Sequence, residues 1–186
     1  MATLSWGVKQ SFRSYVDAAG GTVAVAGGAE RAPDGGFLFP HAPKSTLARD
    51  ADGRLTGTGR FEGQVSFSAH GGMLNVVLTD PWVEATEGGL VLTVAASATR
   101  RSAFAKLDAA AMTTEADGAL VIPAAITLDG MFILGDHYPP GTALDWLGCK
   151  RHIPGFAPTT PARSRPRPGT GAISPILYLQ HPALLR

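Results

Sequence analysis

The sequence predicts a mainly β domain, an antiparallel β-sandwich or a partly open barrel, with one short helix at its N-terminal end. Three observations point there. Apolar residues alternate with period two over several short stretches. The 23 glycines and 14 prolines among 186 residues supply the tight turns that join such strands. One N-terminal stretch instead repeats its apolar residues at helical spacing.

That stretch predicts an amphipathic helix over residues 5–18. Leu4, Val8, Phe12, Tyr15 and Val16 share one face, Ser5 stands as N-cap, and Gly20-Gly21 supplies the stop. Ser11 and Tyr15, four apart, sit one above the other. The period then changes to two. Residues 22–26 and 36–39 read as short strands. Residues 60–68 read as a longer one, with Phe61, Gly63, Val65 and Phe67 on one side. Residues 74–79 are continuously apolar and are expected to be buried on both faces. Residues 81–87 and 90–98 form a hairpin about Glu87-Gly88-Gly89. Residues 119–128 and 131–134 close the strand series. Residues 104–112 read as a short helix or an irregular strand, and 142–147 as a helical turn. Many antiparallel strands beside one helix imply two packed layers of β structure.

Composition bounds the function. Hydrophobic residues make up 45% of the chain and charged residues 17%, enough for a sizeable core. A net charge of +1 gives no reason to expect a nucleic acid partner. No run of about 18 apolar residues exists, so no transmembrane segment is expected. The first residues lack a basic region followed by an apolar run, so they do not read as a signal peptide. The expected location is cytoplasmic; the alternative is an exported protein whose leader has been removed. The single Cys149 cannot form an internal disulfide.

The length suits one domain over residues 1–150. A Pro/Arg-rich linker is expected over 151–171, where Arg163, Arg165 and Arg167 alternate with prolines. An apolar tail follows over 172–186, to fold back or to dock on a partner. His41, His137, His152 and His181 are scattered without zinc-like spacing. Asp80, Glu84 and Glu87 make no acid–base pair, and turns account for the glycines better than a phosphate loop does.

Taken alone, Tyr15 on an apolar helix face reads as a packing residue, and His70 before Gly71-Gly72 as a turn residue. The surrounding text changes that. The run Leu4-Ser5-Trp6-Gly7-Val8-Lys9-Gln10-Ser11-Phe12-Arg13-Ser14-Tyr15-Val16 is followed by Gly63-Gln64-Val65-Ser66-Phe67-Ser68-Ala69-His70-Gly71-Gly72-Met73-Leu74-Asn75-Val76. Then come Thr79-Asp80-Pro81-Trp82-Val83-Glu84 and a looser block from His137 through Tyr138 to Asp145. Over roughly residues 4–147 the chain resembles the HtaA domain family, the haem-binding modules of actinobacterial haem uptake.

The resemblance implies a β-sandwich-like domain whose short helix carries a haem-ligating tyrosine, here Tyr15, bound to the iron of ferric haem b. It implies that His70 hydrogen-bonds the phenolate oxygen, that Ser11 lies at the haem edge near a propionate, and that Tyr138 is a further pocket residue. A free tyrosine, with a pKa of about 10, is a poor ligand at neutral pH. Ferric iron and a hydrogen bond from an imidazole both favour its phenolate. Tyrosinate is an established axial haem ligand. The function expected is to hold ferric haem for transport, transfer or storage, without catalysis, beside a haem donor or acceptor protein. Two alternatives stand: a haem-dependent or Tyr/His acid–base enzyme on the same scaffold, and a subunit recruited to a homo-oligomer or larger assembly by its tail.

Overall fold

The computed structural model describes residues 2–151. The chain starts in β1 (Ala2–Trp6) and turns into α1 (Gln10–Ala18). It continues through β2 (Thr22–Ala26), β3 (Glu30–Arg31), β4 (Phe37–Pro40), β5 (Ala48–Arg49), β6 (Leu55–Thr56), β7 (Thr58–Arg60) and β8 (Gln64–Ala69). A single 3-10 turn, His70–Gly72, leads into β9 (Leu74–Thr79). Next come β10 (Trp82–Thr86), β11 (Gly89–Ala95), β12 (Arg101–Leu107), β13 (Thr113–Thr114), β14 (Leu120–Ile122) and β15 (Ala124–Ile126). The described chain ends with α2 (Leu128–Ile133) and β16 (Leu147–Arg151).

The strands form a six-stranded sheet ordered β13-β14-β16-β1-β4-β3, a five-stranded sheet ordered β15-β12-β11-β10-β7, a three-stranded sheet ordered β2-β8-β9, and the small pair β5-β6. Every strand pairing among the described residues is antiparallel. The domain is mainly antiparallel β, built of several sheets and not a closed barrel, as the alternating pattern implies. Leu4, Trp6, Phe37, Phe39, Phe61, Phe67, Leu92, Phe104 and Leu147 are fully buried where the sheets face one another. Trp6 meets Phe104 edge to face, with centroids 5.2 Å apart. Burying each such side chain stabilises the fold by about 1.5–3 kcal/mol.

Residues 2–6 are a strand, not helix. Leu4 and Trp6 both point into the core, and β1 pairs with β16 on one side and β4 on the other. The corner is made at Val8, whose φ of +64° is costly for a β-branched residue. The helix begins only at Gln10, and Ser5 caps nothing. Lys9, in the N-cap position, supplies no side-chain cap. The carboxylate of Asp145 does that work, accepting the Gln10 N–H at 2.9 Å.

The stretch 60–68 alternates as expected, but it belongs to two sheets. Phe61, Gly63, Val65 and Phe67 all face inward. The chain passes from the five-stranded to the three-stranded sheet at Gly63, where φ is +125° and a Cβ would stand 2.7 Å from Ala29. Residues 74–79 are buried on one face only. Leu74, Val76 and Leu78 point inward and Asn75 and Val77 outward, because one face of this antiparallel sheet packs on the core and the other meets solvent. Residues 119–128 divide at Pro123 into β14 and β15, in different sheets.

Residues 131–134, expected as a strand, belong largely to α2. The Thr127 hydroxyl caps it by accepting the Gly130 N–H at 3.0 Å. Gly130 lets α2 approach β12, since a Cβ there would collide with the Phe104 carbonyl. Residues 104–112 resolve as strand through Leu107. Residues 142–147 are extended, with Ala143 bridging to Ala125. The hairpin at Glu87-Gly88-Gly89 forms as expected, with Thr86 opposite Gly89. Arg151, expected in the linker, pairs with Ala2 at the end of β16. The rest of the expected linker and the tail lie outside the described residues.

Candidate functional site

Helix α1 is anchored by Val8, Phe12 and Val16, all fully buried. Its outward side carries Ser11 and Tyr15. Tyr15 therefore does not lie on the buried face; it is 38% exposed. It stands one position before Val16, about 100° around the helix from it, on the margin of the apolar stripe. The helix ends in a Schellman motif. The Gly20 N–H bonds the Asp17 carbonyl at 2.9 Å and the Gly21 N–H bonds the Val16 carbonyl at 2.8 Å, with Gly20 at φ +63°. A Cβ on Gly21 would lie 2.5 Å from the Ser68 carbonyl oxygen. That close approach sets the end of α1 against the end of β8, two residues before His70.

His70 leaves β8 in the left-handed region, φ +53°, and Gly71 and Gly72 follow at +66° and +94°. A non-glycine residue held there costs about 1 kcal/mol. The turn aims the imidazole at the helix. The Tyr15 hydroxyl and His70 Nε2 are 2.7 Å apart and hydrogen-bonded, with ring centroids 5.6 Å apart. Which atom donates depends on the imidazole tautomer.

Ser11 and Tyr138, the other two residues expected at the site, also meet. Their hydroxyls are 3.1 Å apart, and the Tyr138 ring stands edge-on to Phe12. Lys9 Nζ lies 5.1 Å over the Tyr138 ring and donates to the Ala143 carbonyl at 2.9 Å. One outward face of α1 thus carries both hydrogen-bonded pairs.

Two further features had no counterpart in the sequence reading. His137 is also a neighbour of Tyr15, with centroids 5.4 Å apart; its place directly before Tyr138 was the available signal. The second feature is the clamp that fixes α1. Asp145 pairs with Arg13 at 2.6 Å, Arg13 also donates to the Gly7 carbonyl, and the Asp145 N–H bonds the Val8 carbonyl at 3.1 Å.

Apolar side chains stand exposed at Met73, directly after the His70 turn, at Val77 on β9, and at Leu128 and Phe132 on α2. An open cleft of about 510 Å³ lies between Val77, Val94, Ile133 and Ser102. Tyr15 and His70 do not line it, so the cleft and the Tyr–His pair are separate features. Among the described residues no group of three or more His, Cys, Asp or Glu side chains could hold a metal ion. Asp80 and Glu84 have structural partners, the Gly63 N–H at 2.9 Å and the Thr93 hydroxyl at 2.7 Å.

Solved structures share this fold. The C-terminal domain of HtaA from Corynebacterium glutamicum aligns with a TM-score of 0.62 and 24% identity, over 80% of this chain and 93% of that one. The N-terminal domain of the same protein aligns at 0.63 and 22%, over 80% and 94%. The haem-binding protein HtaB from Corynebacterium glutamicum aligns at 0.56 and 16%, over 80% and 93%. No protein of curated function matches the chain. The HtaA (Htaa) family profile matches residues 1–150, and the chain belongs to the HtaA family.

Proposed function

We propose that this domain binds ferric haem b through the Tyr15 phenolate, with His70 holding that phenolate in its charged form, and that it carries, transfers or stores haem without catalysis. The observation that carries the reading is the exposed Tyr15 hydroxyl hydrogen-bonded at 2.7 Å to His70. The donor set fits the group: a hard anionic oxygen for Fe(III), and an imidazole able to donate to it. Exposed Met73, on the turn that presents His70, supplies apolar surface suited to a flat macrocycle. Family membership and the haem-binding HtaB fold neighbour support the same reading.

Bound haem supplies the iron; the protein supplies ligand, orientation and charge. Tyr15 would supply the oxygen ligand. His70 donates from Nε2 once the phenol proton has left. Ser11 and Tyr138 offer hydroxyl donors to a propionate, and the Lys9 ammonium beside Tyr138 adds positive charge there. Ferrous iron binds phenolate weakly, so reduction loosens the hold of Tyr15, a property suited to a carrier that must release its cargo. Among the described residues no helix is long and apolar enough to cross a membrane.

The test is a hemin titration followed by absorption. The wild type is expected to give a high-spin, tyrosinate-type spectrum at one equivalent. Tyr15→Ala binding hemin with an unchanged spectrum would remove the ligand assignment.

A further inference from the structure

His137 has no task in the reading above, yet its ring packs against Tyr15 at 5.4 Å and 54°. Its position is built. Gly135 and Asp136, at φ +72° and +60°, follow α2 and reverse the chain toward α1. The Asp136 N–H bonds back to the Met131 carbonyl at 3.1 Å. Gly135 takes the left-handed conformation freely, whereas Asp136 holds it at a cost in backbone strain. The imidazole so delivered is exposed, and its nitrogens meet no hydrogen-bond partner among the described residues. His70, by contrast, is engaged by Tyr15.

We infer that His137 is the ligand for the reduced state of the cargo, taking the iron from Tyr15 when ferric haem becomes ferrous; this rests on the haem-binding reading above. The chemistry decides which side chain can do it. Phenolate suits Fe(III), whereas neutral imidazole binds both Fe(III) and Fe(II) and is a standard ferrous haem ligand. One electron, from an external one-electron reductant such as dithionite, converts Fe(III) to Fe(II). The iron–oxygen bond breaks, and one proton from solvent returns Tyr15 to the neutral phenol. That phenol stays hydrogen-bonded to His70 Nε2, the pairing the side chains already adopt, so His70 stays occupied. The iron–nitrogen bond forms to neutral His137 and needs no further proton.

The experiment is resonance Raman spectroscopy of the haem-loaded protein before and after anaerobic dithionite reduction, on wild type, His137→Ala and His70→Ala. Expected are tyrosinate modes in the ferric wild type and in ferric His137→Ala, then an iron–imidazole stretching band in the reduced wild type. Reduced His137→Ala loses that band and gives up its haem to added apomyoglobin; reduced His70→Ala keeps it. The inference is overturned if the band persists in His137→Ala, if it vanishes only in His70→Ala, or if the reduced wild type shows none. Absence of tyrosinate modes in the ferric wild type is a separate result, and it removes the Tyr15 reading itself.

Discussion

Asp145→Ala tests how the site is held, because Asp145 reaches α1 from the extended segment just before β16. Its Oδ1 accepts the Gln10 N–H at 2.9 Å, replacing the side-chain cap that Lys9 cannot supply. Losing such a cap costs about 1 kcal/mol. Its Oδ2 pairs with Arg13 at 2.6 Å, with the two side chains 30% and 19% exposed. Solvent screening discounts that pair to about 0.5–1 kcal/mol. Arg13 keeps its bond to the Gly7 carbonyl, so no cation is stranded. The sum is a loss of about 1.5–2 kcal/mol, or roughly 3–8 °C in Tm for a domain of this size. Urea unfolding measures it, and Asp145→Asn divides it: the amide oxygen keeps the cap and loses only the charge, for about half the effect. Hemin affinity should fall in Asp145→Ala although Asp145 is not a proposed haem contact, because the Val8 corner and the first turn of α1 relax together. A loss under about 0.5 kcal/mol, with hemin affinity unchanged, would refute the claim that this clamp sets the pose of Ser11 and Tyr15.

Three more predictions come from single positions. Gly63→Ala should destabilise by at least ~2 kcal/mol in urea unfolding, since a Cβ would stand 2.7 Å from Ala29 at a φ of +125°. His70→Gly should be more stable than His70→Ala by about 1 kcal/mol, because glycine relieves the left-handed backbone at φ +53°; both should weaken hemin binding, which separates backbone strain from the imidazole. Burial pushes the Cys149 thiol above its ordinary pKa, so the folded protein should resist alkylation at pH 8 and react promptly in denaturant. The sign for stability follows. The unfolded chain gives up that proton first, so the contribution is intact below the ordinary thiol pKa and is lost as pH rises toward the folded value.

Much of the β framework was legible because period two is unambiguous where one face is buried. Phe61, Val65 and Phe67 announce the inward side of their strands, and Glu87-Gly88-Gly89 announces its hairpin. Alternation does not say which sheet a strand joins, so the passage at Gly63 and the division at Pro123 stayed hidden. Leu4 and Val8 satisfy a helical spacing while Leu4 and Trp6 satisfy a strand, and only pairing to β16 and β4 decides between them. Residues 131–134 are apolar at every position, which suits a strand as well as a helix; the Thr127 cap decides there. At the site, the resemblance brought Ser11, Tyr15, His70 and Tyr138 to attention, and the fold gathers them into two hydrogen-bonded pairs. The exposure of Tyr15 was not legible, since one helical position separates the margin of an apolar stripe from its centre. Nor was His137, whose contact with Tyr15 depends on two left-handed residues that no periodicity reveals.

The central claim is that Tyr15 supplies the ligand oxygen to ferric haem. Resonance Raman spectra of the ferric complex, excited in the phenolate-to-iron charge-transfer band, address that bond directly. Tyrosinate modes are expected in the wild type, with their complete loss in Tyr15→Phe, which keeps the ring and removes only the oxygen. Survival of those modes in Tyr15→Phe, or a wild-type complex that shows none, would contradict the claim.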